Sequence, residues 1–278
     1  MRVHTAEFRV NIYDVDAWGD ARTNAIIRFM QQAASDASTA AGFDIEWYAQ
    51  ARTLWVIRRT IVQYAAPARY DDTLEVRTWV ADMRRVRSQR EYEVCRAADR
   101  ALIARGSTDW VYVDLTRGAP AQPPPEMLQR LMPDVGAQPR PPRLAGDPPP
   151  TAVCTPRRVE LADLDSVAHV NNAQYAVYVE QAVYDALAAR GWHVQPAQGA
   201  APVRVVQHDL EYYAEAQYGD RLTAAVWLVS ADSSGFVSRC SLTRGSTRVL
   251  QAATVWQWSE GGCPAALRAA AEALALSA

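Results

Sequence analysis

The stretch DLDSVAHVNNAQYAVYVE at residues 163–180 decides the fold, because DVDAWGDARTNAIIRFMQ at residues 14–31 repeats its layout. In both stretches, two aspartates two positions apart precede a segment with the apolar spacing of an amphipathic helix. Aligned residue by residue, the copies pair Asp14 with Asp163, Asp16 with Asp165, Asp20 with His169, and Gln31 with Glu180. The chain therefore contains a duplicated unit, and only the second copy of the stretch has a histidine.

The elements around the two copies follow one order. A short strand (8–13 or 157–161) precedes each aspartate turn, and a helix (24–41 or 172–190) follows it. Alternating and β-branched residues then predict four strands in each half: 54–64, 70–80, 90–97 and 102–113, then 203–213, 218–228, 236–243 and 249–258. Each half is therefore predicted to be an α+β layer, with one long helix against an antiparallel sheet.

A proline-rich segment separates the halves. Residues 117–150 contain 11 of the 16 prolines, which excludes a sheet interior or a long helix. We therefore predict an N-terminal domain over 1–116, a linker over 117–150 and a C-terminal domain over 151–278.

Composition narrows the function further. The net charge of −2 argues against a nucleic-acid-binding protein, and no apolar stretch is long enough to span a membrane. The N-terminus has no signal core and the four cysteines show no metal-ligand spacing, so we expect a cytoplasmic protein with free thiols and no metal. The chain has no lysine, which excludes Schiff-base chemistry and a lysine phosphate loop, and no cofactor motif is present.

The segment 163–180 and its following strands resemble the hotdog-fold thioesterases, whose small members carry D-x-D-x-x-G-H-V-N-N-x-x-Y before a central helix. Two such units joined by a crossing linker resemble the plant and bacterial acyl-ACP thioesterases. The run GDARTNAIIRFMQQAASDA at 19–37 is similar to that family's G-D-R-T-x-S helix entry, and the likeness covers residues 5–260. This resemblance implies a tandem double hotdog that hydrolyses acyl-ACP, with the first half as acyl pocket and partner surface.

The resemblance also implies site residues. The family's C-terminal half has Asp-x-Asn-x-His and then a glutamate before a Gly-Asp turn. Asp165, His169 and Glu215 match this pattern, whereas Val167 stands where the family has asparagine. In the first half, Pro67 corresponds to Glu215, which favours a function for the glutamate over a solvated charge at a strand edge.

Thioester hydrolysis assigns roles to these side chains. Asp165 is the expected general base or nucleophile, although an aspartate before a helix is commonly only a cap. His169 is expected to orient water or to share a proton with Glu215 or Asp165. The expected oxyanion donors are the amides at the helix start, those of Val170, Asn171 and Asn172. The candidates for a second layer around the site are Glu180 and Val167. The alternative for Glu180 is a solvated charge on the helix. His193 and His208 are expected to be structural or exposed and not part of the site.

A basic run is the candidate carrier-binding surface. It comprises Arg84, Arg85, Arg87 and Arg90 at a strand connection, and a solvated turn is its alternative reading. Its partner would be acyl carrier protein or the phosphates of coenzyme A. We expect an acyl-ACP thioesterase, with an acyl-CoA thioesterase, a non-catalytic acyl-binding protein and a hotdog dehydratase as alternatives. The halves are expected to form an internal pseudo-dimer, and a further homodimer is open.

Overall fold

The computed structural model describes residues 3–131, 135–143, 146–195, 201–259 and 262–276. The chain divides into two compact units, Met1–Pro141 and Pro142–Ala278. Among the described residues, no helix is long and apolar enough to cross a membrane.

The first unit is an antiparallel sheet with a long helix. Its strands are β1 (His4–Arg9), β2 (Thr53–Tyr64), β3 (Thr73–Arg84), β4 (Arg87–Arg96), β5 (Leu102–Asp114) and β6 (Ala119–Pro120). They lie in the order β1-β3-β4-β5-β2, with β6 paired to β5. Helix α1 (Thr23–Ala40) buries an alanine- and isoleucine-rich face and contacts β1 and β3. Gly106 of β5 leaves room for the Met30 methyl group of α1, which a β-carbon there would overlap.

Two short helices complete the first unit. Helix α2 (Ile45–Ala51) begins at Asp44, whose side chain accepts the Trp47 amide at 2.8 Å. Helix α3 (Pro125–Leu131) buries Met127 and Leu131 in a cluster with residues from the sheet and the end of α1. Strand β6 and helix α3 lie within the predicted linker 117–150, yet they pair with and pack on the first unit. The sequence did not predict them as part of that unit, because a two-residue strand and a two-turn helix give almost no periodic signal.

The second unit repeats the layer with one added helix. Strands β7 (Val153–Arg158), β8 (Val203–Tyr212), β9 (Arg221–Ala231), β10 (Gly235–Arg244) and β11 (Thr247–Trp258) lie in the order β8-β11-β10-β9-β7. Helix α4 (Gln174–Ala188) packs on β7, β9 and β10, and helix α5 (Ala265–Leu276) packs on α4 and β9. The predicted α+β layer of one long helix against an antiparallel sheet is confirmed in each unit.

The strands before the aspartate turns begin earlier than predicted. They end at Arg9 and Arg158, and the residues beyond them form the 3₁₀ turns Ile12–Asp14 and Leu161–Asp163. Local capping explains the difference, because each turn's final aspartate accepts an amide three residues earlier along the chain, at 2.9 Å in the first unit and 2.8 Å in the second. This pairing turns the chain into the helix entry that positions the site.

Candidate active site

Asp165 organises a tight turn ahead of α4. Its amide donates to the His169 carbonyl at 2.9 Å, and its carbonyl accepts the Ala168 amide at 3.0 Å. Its Oδ1 accepts the Val167 amide at 3.1 Å. Ala168 has a φ of +63°, in the left-handed region, so the turn holds one strained residue. The turn places Asp165 and His169 just before the helix, and both residues are half-buried.

The first unit builds the same turn around Asp16. Asp16 donates its amide to the Asp20 carbonyl at 2.8 Å, and its Oδ1 accepts the Trp18 amide at 2.8 Å. Gly19 occupies the left-handed position, with φ +83°. The main-chain geometry is therefore shared by both copies and does not by itself make a catalytic site.

The side chains on this turn are what differ. In the second unit, His169 Nε2 lies 3.0 Å from Glu215 Oε2, and these side chains are 28% and 60% exposed. In the first unit, Asp20 takes the place of the histidine and lies 3.5 Å from the guanidinium of Arg69. The described structure thus brings two of the three expected catalytic side chains into contact, with Asp165 joined to His169 through the main chain.

Asp163 stabilises the turn through hydrogen bonds to its carboxylate and its carbonyl. It is buried, and its carboxylate accepts the Gln174 amide group at 2.9 Å and the Tyr178 hydroxyl at 2.5 Å. Its carbonyl accepts the Asn171 amide at 2.9 Å. Burial raises the pKa of Tyr178, and the charge of Asp163 raises it further, so the hydroxyl stays a donor. Asp163 is therefore a structural anchor of the turn.

Two of the three expected oxyanion amides are already used. Val170 donates its amide to the Ala216 carbonyl at 2.9 Å, and Asn171 donates to the Asp163 carbonyl at 2.9 Å. The prediction that these two amides polarise a substrate carbonyl is therefore wrong. Asn172 is the remaining member, and its amide has no hydrogen-bond acceptor among the described residues. Asn171 shapes the helix start instead, since its Oδ1 accepts the Ala173 amide at 2.9 Å.

Val167 supports the site only through its main chain. Its side chain is 59% exposed, while its amide holds Oδ1 of Asp165. The predicted second-layer residue Val167 therefore contacts Asp165 through its main-chain amide, and the turn directs its side chain to solvent.

The loop that carries Glu215 has its own support. Arg244 bonds the Glu215 carbonyl at 3.3 Å and Oδ2 of Asp220 at 2.5 Å. Burial raises the pKa of the Tyr175 hydroxyl, which lies beside the Ala216 amide and the Glu215 charge. Sequence reasoning missed Tyr175 and Arg244, although Tyr175 is the tyrosine of the quoted motif.

Glu180 and His208 form a second carboxylate–histidine pair. Glu180 Oε1 lies 3.0 Å from His208 Nε2, and His208 Nδ1 lies 3.0 Å from Thr254 Oγ1. His208 is completely buried, so the exposed alternative for this residue is wrong. Glu180 is only 25% exposed and is not a solvated helix charge.

The basic run separates into two environments. Arg84, Arg85 and Arg87 are exposed at the β3–β4 turn. Arg90 is only 7% exposed, its guanidinium donates to Thr78 Oγ1 at 3.3 Å, and burial lowers its pKa. Its expected place on a carrier-binding surface is wrong, because the alternation along β4 turns this side chain inward.

Chemically, the second unit offers a carboxylate, a histidine–glutamate pair and one open amide around a helix start. Among the residues described, no cluster of three or more ligand-type side chains is arranged for a metal ion. This arrangement can activate water or attack a carbonyl carbon, and it can polarise the carbonyl oxygen.

Comparisons with known proteins match both parts of the chain to thioesterases. Residues 1–131 match the family model of the acyl-ACP thioesterase N-terminal domain, and residues 159–257 match that of the thioesterase-like superfamily. A chloroplastic oleoyl-acyl carrier protein thioesterase of Coriandrum sativum is 25% identical in an alignment of 206 residues that covers 64% of this chain and 53% of that protein. The chain thus spans about half the length of this curated relative.

Solved structures show the same fold at low identity. A putative oleoyl thioesterase from Lactobacillus plantarum aligns with a TM-score of 0.80 and 20% identity, covering 94% of this chain and 97% of that one. The 12:0-ACP thioesterase from Umbellularia californica aligns with a TM-score of 0.76 and 20% identity, covering 93% and 95%. An acyl-ACP thioesterase from Bacteroides thetaiotaomicron gives 0.74 and 18%, covering 92% and 98%. The N-terminal part of the chain thus matches the acyl-ACP thioesterase N-terminal domain, the C-terminal part matches the thioesterase-like superfamily, and the chain has the double hotdog fold.

Proposed function

We propose that this protein hydrolyses fatty acyl-ACP to a free fatty acid and holo-ACP, as a step of fatty acid biosynthesis. One observation carries the proposal: the 3.0 Å contact of His169 with Glu215 beside Asp165. The first unit has the same turn with Asp16 at its centre, yet it has neither the histidine nor the glutamate. The second unit is therefore the hydrolytic half of the proposal, and the first unit is its acyl pocket and partner half.

The reaction needs one nucleophile, one donor for the carbonyl oxygen and one proton for the leaving sulfur. A water oxygen bonds to the thioester carbon, the carbon–sulfur bond breaks, and the thiolate leaves with the proton that water gave up. Asp165 is proposed to accept that proton. The support is that the Val167 amide holds Oδ1, while Oδ2 has no hydrogen-bond partner among the described residues. Direct attack by this carboxylate, through an anhydride that water then opens, is the alternative route.

Two further groups complete the mechanism. The amide of Asn172 is the donor proposed for the carbonyl oxygen as it becomes negative. His169, held by Glu215, is proposed to orient the water, and Asp165 is proposed to pass the proton it accepts from water to the leaving sulfur. A single turnover in ¹⁸O-labelled water tests the direct route, because label in the Asp165 carboxylate requires an anhydride that water opens at the aspartyl carbon.

The carrier is proposed from charge. Arg84, Arg85 and Arg87 give the first unit an exposed cationic turn, which suits the acidic surface of acyl carrier protein. The same three guanidinium groups could bind the phosphates of coenzyme A, so acyl-CoA is the second candidate substrate. The cytoplasmic location and the homodimer stay predictions.

The test is release of free acid from acyl-ACP and acyl-CoA panels of different chain lengths. The acid is measured by mass spectrometry, because Cys154 is exposed and would react with a thiol reagent. We expect acid release from acyl-ACP with a higher kcat/KM than from acyl-CoA, and loss of release in Asp165→Ala. The matched control is Asp16→Ala, at the same place in the first unit's turn, which should keep near wild-type kcat.

Three outcomes contradict the proposal in different ways. Release only from acyl-CoA overturns the carrier. Binding of acyl chains with no release from either carrier indicates the acyl-binding alternative. Equal loss of activity in Asp16→Ala and Asp165→Ala, with intact folding, would remove the assignment of chemistry to the second unit.

A further inference from the structure

The second unit buries a charged network that the proposed reaction does not touch. His208 on β8 and Thr254 on β11 are completely buried and lie opposite each other in the sheet. The His208 ring joins Thr254 Oγ1 and Glu180 Oε1, each at 3.0 Å, and so links two strands to the middle of α4. Taking a histidine and a carboxylate out of water costs desolvation energy, which demands a reason for keeping them.

The network links the middle of α4 to β8, and a second hydrogen bond links the residues just before α4 to the same strand. At the start of the helix, the Tyr212 hydroxyl donates to the Asn172 carbonyl at 3.1 Å. Glu180 lies eight residues beyond Asn172, about 12 Å at the helical rise. His208 lies four residues before Tyr212, about 13 Å at the strand rise. The two links therefore match in spacing and set the register of the helix against the strand.

That register matters because the site is divided between these two elements. Asp165, His169 and the open Asn172 amide lie just before α4, whereas Glu215 lies three residues beyond the end of β8. A shift of α4 along β8 would separate His169 from Glu215 and re-aim the Asn172 amide. Such errors of about 1 Å can cost on the order of 100-fold in rate.

The first unit shows that the fold does not need this network. There the first link is kept, with the Tyr64 hydroxyl 3.5 Å from the Thr23 carbonyl. At the corresponding positions of the second link stand Gln31 and Thr60, and Thr60 Oγ1 is buried with no hydrogen-bond partner among the described residues. A glutamate–histidine pair therefore accompanies the catalytic side chains and is absent where those side chains are absent.

We infer that Glu180 and His208, oriented by Thr254, are positioning residues that hold the α4 entry against the Glu215 loop for thioester hydrolysis. The expected effect on kcat rests on the proposed function. The expected effect on the structure rests only on the His169–Glu215 contact. It predicts that removal of the pair lowers kcat and leaves KM for the acyl thioester nearly unchanged.

The test compares Glu180→Leu with Glu180→Gln in the full-length protein. The leucine leaves His208 without its carboxylate and should lower kcat about 30- to 100-fold, with KM within threefold. The glutamine keeps an oxygen that can accept from Nε2 and should return kcat to within about fivefold of wild type. Thr254→Val, which removes the hydroxyl beside Nδ1, should give an intermediate loss. The matched control is Gln31→Leu at the same place in α1, which should keep wild-type kcat.

A spectroscopic readout separates positioning from stability. The ¹⁵N signals of the His169 ring report its contact with Glu215, and the chain's four histidines make the assignment simple. Glu180→Leu should shift the His169 signals toward those of Glu215→Ala, at a temperature where both variants are folded. Unchanged His169 signals and unchanged kcat, with only a lower Tm, would overturn the inference and leave a stabilising pair. If the wild type hydrolyses no acyl thioester, the proposed function fails, and the His169 signals alone still decide whether the pair positions the loop.

Discussion

Replacing Glu215 with alanine should separate activity from stability. The His169–Glu215 pair is short, at 3.0 Å, but the side chains are 28% and 60% exposed. Exposed ion pairs contribute at most about 1 kcal/mol to folding. The Glu215 carbonyl, which Arg244 contacts at 3.3 Å, remains in the variant, so the loop keeps its own support. We therefore expect the free energy of unfolding to fall by less than about 1 kcal/mol.

The effect on the reaction should be larger. A positioned acid–base group contributes about 10²- to 10⁴-fold in rate. In Glu215→Ala, His169 remains and the Asp165 amide still donates to the His169 carbonyl. The loss of rate should therefore lie at the low end of that range. We expect kcat to fall about 100-fold, equivalent to about 2.7 kcal/mol of transition-state stabilisation. Glu215→Gln keeps an oxygen that can accept from His169 and should lose only about 10-fold.

The assay is steady-state acid release from acyl-ACP, paired with chemical denaturation of the same preparations. The matched control is Asp20→Ala, which removes the corresponding carboxylate–cation pair of the first unit and should leave kcat within twofold. If Glu215→Ala keeps more than a third of wild-type kcat, then the His169–Glu215 contact is a surface ion pair and the proposed mechanism loses its main support. If kcat falls only in proportion to a loss of unfolding free energy, then Glu215 stabilises the fold, and the predicted separation of activity from stability is refuted.

Three further predictions follow from the same turn and from the arginines. Ala168→Gly should raise the unfolding free energy by up to about 1 kcal/mol, since glycine relieves the left-handed φ of +63° but adds entropy to the unfolded state. Denaturant titration measures the unfolding free energy, and a destabilised variant would contradict the prediction. Val167→Asn should leave kcat/KM within about threefold, because the side chain faces solvent; a tenfold gain would show that it reaches the site. The triple substitution Arg84→Glu, Arg85→Glu and Arg87→Glu reverses three exposed charges and should raise KM for acyl-ACP about 10-fold at low salt, with little change in kcat. The increase in KM should become smaller as the salt concentration rises, because salt screens exposed charges.

Most of the fold was predictable from the sequence because two strong periodicities dominate it. The predicted helix 172–190 is observed at Gln174–Ala188, and the predicted strand 203–213 at Val203–Tyr212. The elements that were missed have weak local signals. Helix α2 has seven residues and buries none of them fully, so its sequence has no apolar stripe.

The site was predictable in its side chains but not in its main chain. The motif and the repeat identified His169 and Glu215, which the structure places in contact. They could not show which amides were free, because that depends on pairing with distant residues such as Ala216. They also could not find His208, because sheet register and not local sequence decides which residue of β8 meets Glu180. Arg90 was misplaced for a similar reason, since its direction depends on the pleat of β4.

The duplication supplies an internal reference that separates structural residues from functional ones. Asp14 and Asp163 are both buried and both accept an amide three residues earlier along the chain, so that aspartate belongs to the fold. Asp16 and Asp165 both organise the turn, so an aspartate at that position is not in itself a sign of catalysis. What the second unit adds is His169 on the turn, in contact with Glu215 of the loop after β8, and Glu180 of α4, in contact with His208 of β8. Hydrolysis is therefore assigned to the groups that differ between the two units, and Asp165 is a catalytic candidate only because His169 follows it on the same turn.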